Sequence, residues 1–173
     1  MLGLKRGTVK LFKAHGEWTR LFEIEKQSLL KTFGDHIIAI EHVGSTAIPD
    51  VPAKPIIDIR IAVSSLDDSY IENFVLPLKK LGYSYMHKFP DRHFFAKGPE
   101  EKRTHHISLV KEGGKAWNDA ILFRDYLRQN KQAREEYSSL KEKLAKLYSE
   151  DRTSYTKGKE EFIEKIIEKA SAL

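Results

Sequence analysis

The segment from Glu41 to Ile59 constrains the fold of this chain more than any other stretch. It reads EHVGSTAIPDVPAKPIIDI: an apolar strand ends in a Gly-Ser turn, and a loop with three prolines leads into a second strand. In that second strand, Ile56–Val63, alternate residues are apolar, and Asp58 and Arg60 lie between them. Because successive side chains of a strand point to opposite faces, one face belongs to a core and the other presents an acid and a base.

The remaining pattern predicts an α+β or mixed α/β fold, in which a small mixed sheet flanked by helices carries a C-terminal helical layer. The predicted strands are about Ile37–Val43, Ile56–Val63, Tyr83–Lys88, His93–Lys97 and Arg103–Val110. The predicted helices are about Glu17–Thr32, Ser69–Leu81, Ala116–Gln129, Gln132–Tyr148 and Thr156–Ala172. Pro77 predicts a kink or an early break in the second helix. At 173 residues the chain fits one domain, with a core at about 9–112 and a helical part at about 115–173.

Composition limits the cellular location and the classes of partner that we expect for this chain. No apolar run reaches the roughly 20 residues of a membrane span, and Met1–Gly7 lacks the apolar stretch of a secretory signal. The chain has no cysteine, which excludes disulfides and thiolate metal sites. We therefore expect a cytoplasmic protein that is not integral to a membrane. The net charge of +5 is modest, and acids follow the basic residues closely. This pattern favours an anionic small molecule over nucleic acid as the partner.

The Gly44-Ser45-Thr46 turn is the strongest candidate for a phosphate contact. Small residues in a turn leave backbone N–H groups exposed, and successive N–H groups bind anions. Lys54, in the loop that follows, would supply a cation beside the turn. Each has a structural alternative: the turn only leads into a short helix, and Lys54 is only solvated. Both interpretations stay open at this point.

The same segment resembles the signature of the GrpB family. The resemblance is carried by His42–Pro49 and Ala53–Ile59 and runs in one register from about Val9 to Ala170. It also includes Trp18, Phe22, Phe94-Phe95, Phe123–Arg128, Tyr137, Leu140-Lys141, Tyr155 and Lys157. It implies a nucleotidyltransferase-like fold of the polymerase-β type and a ligand anion near Tyr155 and Lys157. Family members fused to dephospho-CoA kinase imply a link to nucleotide or coenzyme A chemistry.

The implied active site is only partly present. A nucleotidyltransferase of this type needs three carboxylates on adjacent strands, two of them in an Asp-x-Asp pair that holds two metal ions. The resemblance puts Asp58 at the first position of that pair, but Arg60 stands where the second acid is expected. A guanidinium at this distance repels a divalent ion, which argues against the usual two-metal mechanism. Arg60 would then contact the phosphate itself.

His106 is the candidate partner for Asp58 in place of the missing carboxylate. Alternation along Arg103–Val110 places His106 and Ser108 on one face, where the family pattern has His-x-His. The second histidine of that pattern is therefore absent. If this strand neighbours Ile56–Val63, His106 lies beside Asp58. The pair would then either hold one Mg²⁺ or Mn²⁺ ion or act as a catalytic acid–base couple.

Four residues carry open alternatives. Asp58 either has a functional role or only pairs with Arg60, and His106 is either functional or a satisfied core histidine. His42 either contacts a phosphate beside the turn or is a satisfied core histidine. Arg92 either clamps a phosphate bidentately or pairs with Asp91. Arg124-Asp125 indicates a salt bridge that ties its helix to the sheet.

Two functional hypotheses follow. The first is a protein that binds a phosphorylated small molecule or nucleotide and transfers a nucleotidyl or phosphoryl group with one metal ion. In it Asp58 and His106 are the catalytic and metal-binding residues. The alternative is a non-catalytic binding module that keeps the phosphate contacts and has Arg60 in place of the second carboxylate. A nucleic-acid accessory protein is the weakest reading.

Overall fold

The computed structural model describes all 173 residues and contains one five-stranded mixed sheet. Its strands are β1 (Ala39–Val43), β2 (Ile57–Val63), β3 (Tyr83–Phe89), β4 (Arg92–Lys97) and β5 (His105–Lys111). Their order is β1-β2-β5-β4-β3, with β2 and β5 parallel and the other neighbours antiparallel. The predicted mixed sheet is therefore confirmed, and all five strands lie close to their predicted positions.

Six helices surround the sheet, one more than the sequence predicts. They are α1 (His15–Phe33), α2 (Asp68–Lys80), α3 (Lys115–Gln129), α4 (Lys131–Leu147), α5 (Arg152–Lys157) and α6 (Glu160–Ser171). The prediction of a single helix from Thr156 to Ala172 is wrong, because α5 ends at Lys157 and α6 begins at Glu160. A Cβ on Gly158 would lie 2.6 Å from a methyl group of Leu144, so this link packs directly on α4. No helix combines the length and apolar character that a membrane crossing requires.

Pro77 does not break α2 early, contrary to one of the two outcomes predicted for it. The helix continues through Pro77 to Lys80, and the Leu81 N–H bonds to the Pro77 carbonyl. Pro77 lies in the last turn, where its missing N–H removes one helical hydrogen bond and little helix remains to be disrupted.

Apolar side chains cover one face of the sheet, and the C-terminal helices cover the other. The larger cluster packs α1 and α2 against the sheet and includes the alternate residues of β2, namely Ile57, Ile59, Ile61 and Val63. A smaller cluster joins α3, α4 and α6 to the loop that follows β1. Asp58 and Arg60 therefore face the C-terminal helices, as the alternation in β2 predicts.

A buried polar network holds α1 to the edge of the sheet. Glu25 in α1 accepts a hydrogen bond of 2.8 Å from the Tyr83 hydroxyl, and Lys97 Nζ donates to both of its oxygens at 2.8 Å. His105 Nε2 lies 3.9 Å from the same carboxylate. Burial lowers the pKa of His105 to about 4, against the attraction of Glu25, so this ring is neutral at pH 7. The network links α1 to β3, β4 and β5.

We expect Glu25→Ala to lower the free energy of unfolding by about 3 kcal/mol, because it removes the partner of the half-buried Lys97 and leaves the buried Tyr83 hydroxyl without its acceptor. Denaturant unfolding measures this loss. The exposed Glu23 in the same helix provides the control, and Glu23→Ala should change stability by less than about 0.5 kcal/mol. Equal stabilities of the two variants would show that the network does not hold α1 in place.

Candidate functional site

The turn after β1 is shaped by its contact with Asp58. Gly44 has φ 70° and ψ −171°, a backbone conformation that only glycine adopts readily. A Cβ at this position would lie 2.7 Å from Oδ2 of Asp58. The turn continues as one short 3₁₀ segment, Ser45–Ala47. The glycine bend and the aspartate thus converge on one place, which the sequence interpretation requires.

His42 supports the turn from behind. The ring is 5% exposed, stacks on Phe22 with 4.7 Å between ring centres, and places Nε2 2.8 Å from Oγ1 of Thr46. Burial lowers the pKa of His42 to about 3, so the ring is neutral. It lines none of the main cavities around the turn. The geometry thus matches the satisfied core histidine rather than a direct phosphate contact, and His42 reaches a ligand only through Thr46.

Asp58 and His106 form the predicted pair. Because β2 and β5 run parallel with Asp58 opposite His106, Nδ1 of His106 lies 3.3 Å from Oδ1 of Asp58. Burial alone would raise the pKa of Asp58, but His106, Lys54 and Arg60 outweigh it and lower this pKa to about 2. Burial also lowers the pKa of His106, and Asp58 opposes that shift. Since a carboxylate only accepts, the neutral ring carries its proton on Nδ1 and keeps a lone pair on Nε2.

A cavity of about 190 Å³, here called the basic cavity, opens beside this pair. Its cations are Lys54, Lys141, Arg152 and Lys159, and Asp58 is its single carboxylate. Thr46, Ser45 and His106 also line it. Four basic side chains against one carboxylate give this partly desolvated space an excess of positive charge.

Three of the four basic side chains have no carboxylate partner. No carboxylate lies within 4.0 Å of the charged groups of Lys54, Arg152 or Lys159. Burial, with repulsion from Arg152 and Lys159, lowers the pKa of Lys54 to about 7. Burial likewise lowers the pKa of Lys159 to about 8. The three side chains are half-buried, and partly desolvated Lys and Arg groups are normally paired, so these charges favour an anion from outside the chain.

The fourth cation, Lys141, is fixed at the floor of the cavity. Its side chain is 1% exposed, its Nζ donates to the Pro52 carbonyl, and it lies 5.1 Å from the centre of the Tyr137 ring. Burial lowers its pKa well below the ordinary lysine value. Sequence reasoning assigned no role to Lys141, Arg152 or Lys159. Lys141 carried a signal, since it shares a buried stripe at helical spacing with Tyr137 and Leu144.

Two larger cavities adjoin the basic one and share Asp58 with it. The apolar-lined cavity, about 400 Å³, includes Phe123, Ile163 and Ile167 and also borders the Gly44-Ser45 bend. The aromatic cavity, about 430 Å³, includes Phe89 and Phe94. Both volumes fall in the range of roughly 300–1,000 Å³ that is typical of small-molecule sites.

The predicted arginines occupy the walls of these cavities. Arg60 borders both of the larger ones, and its Nε is buried without a hydrogen-bond partner. Arg92 lines the aromatic cavity but donates a 3.0 Å hydrogen bond to Asp91 and lies 3.9 Å from the centre of the Phe89 ring. The pairing with Asp91 is the second of the two alternatives predicted for Arg92.

Arg124 confirms its predicted structural role. It bonds to Asp125 on its own helix, to the Glu41 carboxylate and, at 2.9 Å, to the carbonyl of His42. It therefore ties α3 to β1 next to the turn.

The donor set for a metal ion is small. No group of three or more His, Asp or Glu side chains is arranged to hold one, so Asp58 and His106 stand alone. The surrounding cations repel a divalent ion. These residues do not fit the two-metal arrangement, and a single Mg²⁺ or Mn²⁺ stays a prediction that requires ligand oxygens to complete its coordination.

Substituting the bend glycine tests the contact with Asp58. Gly113 is the control, because it has a similar φ of 66° but open space around it. We expect Gly113→Ala to lower the free energy of unfolding by about 1–2 kcal/mol. Gly44→Ala should cost about 3 kcal/mol or more, since its methyl group also displaces Asp58. Denaturant unfolding compares the two variants. Equal losses would show that the bend does not press on the carboxylate.

Comparison with known proteins bears on the fold and on the family. The model of the family described as GrpB protein matches residues 8–169. The chain is 39% identical over 173 residues to the glutamate-rich protein GrpB of Alkalihalophilus pseudofirmus, covering 96% of this chain and 98% of that protein. It superposes on the crystal structure of conserved protein GrpB from Enterococcus faecalis with a TM-score of 0.84, at 30% identity and over 93% and 96% of the two chains.

A more distant match supports the fold class. The structure of Cid1 in complex with the UTP analogue UMPNPP gives a TM-score of 0.53 at 12% identity, covering 86% of this chain and 48% of that one. The mixed sheet with flanking helices is thus a nucleotidyltransferase-like α+β fold, as the resemblance implies. A dephospho-CoA kinase of Mycolicibacterium paratuberculosis is 27% identical over 183 residues, covering 91% of this chain and 44% of that protein.

Proposed function

The chain belongs to the GrpB family, and we propose that it binds a phosphorylated small molecule or a nucleotide. The phosphate occupies the basic cavity, and the organic part extends into the apolar-lined cavity through their shared wall at Ser45, Asp58 and Lys159. The observation that carries this proposal is the set of unpaired cations, Lys54, Arg152 and Lys159, around one enclosed space. A bound dianion would compensate the charges that folding has partly removed from water.

The dimensions of the site favour a head group with a small organic body over a polymer. The basic cavity, at about 190 Å³, lies below the roughly 300 Å³ lower bound for whole small-molecule sites, so it suits the charged group alone.

A transferase activity is the second candidate, and the Asp58–His106 contact favours it. The free lone pair on Nε2 of His106 makes the ring a base, and Asp58 stabilises the protonated ring that forms when it accepts a proton. A Mg²⁺ or Mn²⁺ ion, when bound, would polarise a phosphoryl oxygen. A place in coenzyme A metabolism and a cytoplasmic location remain parts of this proposal.

A thermal-shift panel tests the proposal and separates its two forms. The panel contains nucleotides, coenzyme A precursors and phosphorylated sugars, each with magnesium and with EDTA. We expect at least one phosphorylated compound to raise the melting temperature in EDTA, and its unphosphorylated counterpart to leave it unchanged. Nucleotides are included because Cid1 was solved with a UTP analogue. Stabilisation only with magnesium would favour the transferase, and stabilisation by none of these compounds would contradict the proposal.

Anion binding should be coupled to proton uptake. In the free protein the pKa of Lys54 is about 7 and that of Lys159 about 8, so both amines are partly neutral at pH 8. A bound anion raises both pKa values, and we expect the two amines together to take up about one proton at pH 8, with weaker binding as the pH rises further. Calorimetry with pyrophosphate in two buffers of different ionisation enthalpy measures this number.

The Lys54→Gln variant provides the control, because the remaining proton exchange then comes from the ligand and from Lys159. Equal proton exchange by the two proteins would show that Lys54 does not respond to the anion.

A further inference from the structure

Lys54 is held rigidly at the edge of the basic cavity. The residue before it, Ala53, forms two backbone hydrogen bonds with Phe12, at 2.8 and 2.9 Å. The residue after it, Pro55, accepts a 2.8 Å bond from the N–H of Gly3. The backbone at Lys54 is therefore fixed on both sides, and its Nζ lies 5.5 Å from the centre of the Tyr155 ring.

The surroundings of this amine disfavour its charged form. Arg152 and Lys159 line the same cavity, and no carboxylate lies within 4.0 Å of Nζ. Asp58 is the single acid of the cavity, and its nearest charged neighbour is His106. Burial and the neighbouring cations lower the pKa of Lys54 to about 7, so about half of the amine is neutral at that pH. A desolvated lysine beside another cation is a nucleophile.

The other two amines of the cavity are less suited to this role. Lys141 is 1% exposed and its Nζ donates to the Pro52 carbonyl. Lys159 lies in the link between α5 and α6, and its Nζ is 4.5 Å from the centre of the Tyr155 ring, closer than that of Lys54. This cation–π contact favours the charged form of Lys159, whose pKa is about 8. Arg152, always charged, binds anions but does not add to carbonyl groups.

We propose that Lys54 is a nucleophilic amine that forms an imine with phosphorylated aldehydes or ketones held in the basic cavity. The inference rests on the proposed function, since Arg152 and Lys159 would hold the phosphate and bring the carbonyl carbon to Nζ. The neutral amine adds to that carbon, and the carbonyl oxygen takes up the two amine protons and leaves as water. A C=N bond replaces the C=O bond, no oxidant or reductant is needed, and the step is reversible.

Pyridoxal 5′-phosphate serves as the probe, because it carries an aldehyde and a phosphate on one small molecule. The full-length protein is incubated with the probe at pH 7.5, treated with borohydride and mapped by peptide mass spectrometry. We expect one pyridoxyl group per chain, on Lys54. Excess pyrophosphate should block it, and pyridoxal without the phosphate should label Lys54 at least tenfold more slowly.

Two variants and one binding measurement separate the outcomes. Lys54→Arg keeps the cation and should still bind pyrophosphate in calorimetry while losing the adduct. Lys159→Arg should keep the adduct on Lys54. Adducts on Lys159, on Lys141 or spread over exposed lysines would overturn the inference, as would pyrophosphate binding without any adduct. Failure of pyrophosphate to bind would instead overturn the proposed function.

Discussion

The Arg152→Gln/Lys159→Gln double variant should bind pyrophosphate at least about 100-fold more weakly than the wild-type protein. Both side chains line the basic cavity and neither has a carboxylate partner within the chain. A hydrogen bond from a charged group contributes about 1.5–3 kcal/mol, and two such losses correspond to at least about two decades of affinity. Glutamine keeps much of the side-chain length and removes the charge. Isothermal titration calorimetry measures the affinity.

Lys157→Gln is the matched control. Lys157 lies on α5 with Arg152, is exposed and lines none of the main cavities, although the family resemblance implied a ligand near it. It should bind pyrophosphate within about twofold of wild type. A comparable loss in the control would assign binding to general surface charge, and an unchanged double variant would remove the basic cavity from consideration.

Asp58→Asn should strengthen pyrophosphate binding in EDTA by about tenfold. Asp58 is the single carboxylate of the basic cavity, and its depressed pKa of about 2 keeps it charged at neutral pH. Removing one negative charge at close range from a bound anion corresponds to roughly 1–4 kcal/mol by Coulomb's law, part of which is lost to solvent screening. Asparagine fits the space that Asp58 occupies beside Gly44.

Weaker pyrophosphate binding by Asp58→Asn, instead of stronger binding, would support metal-dependent catalysis. If Asp58 holds a metal ion that in turn holds the phosphate, Asp58→Asn weakens binding in magnesium and abolishes the effect of the metal. Asp35→Asn is the control, because it makes the same change in net charge at an exposed position in the turn after α1. It should leave binding unchanged in both buffers.

The parts of the site that depend on local sequence could be predicted. Alternation in β2 puts Asp58 and Arg60 on the face away from the main core, and the Gly44-Ser45 bend follows from its small residues. The contact between Asp58 and His106 required one assumption, that β2 and β5 are neighbours, and the parallel register meets it.

The cations of the basic cavity could not be predicted in the same way. Lys141, Arg152 and Lys159 come from α4, from α5 and from the link to α6, and about 95 to 115 residues of chain separate them from the turn. Lys141 continues a buried stripe of α4 and could have been noticed, but nothing in the local pattern around Arg152 or Lys159 shows that either side chain points into a cavity. Gly158 gives no such signal either, although the lack of a side chain there lets the link that carries Lys159 pack on Leu144.

Titrating the wild-type protein with pyrophosphate, once in EDTA and once in magnesium, tests the central claim most directly. If the unpaired cations form the anion site, calorimetry will show one saturable site per chain in EDTA. Its affinity will fall when Arg152 and Lys159 lose their charges. Absence of binding in EDTA, together with saturable binding in magnesium, would contradict a site built from the cations of the chain alone.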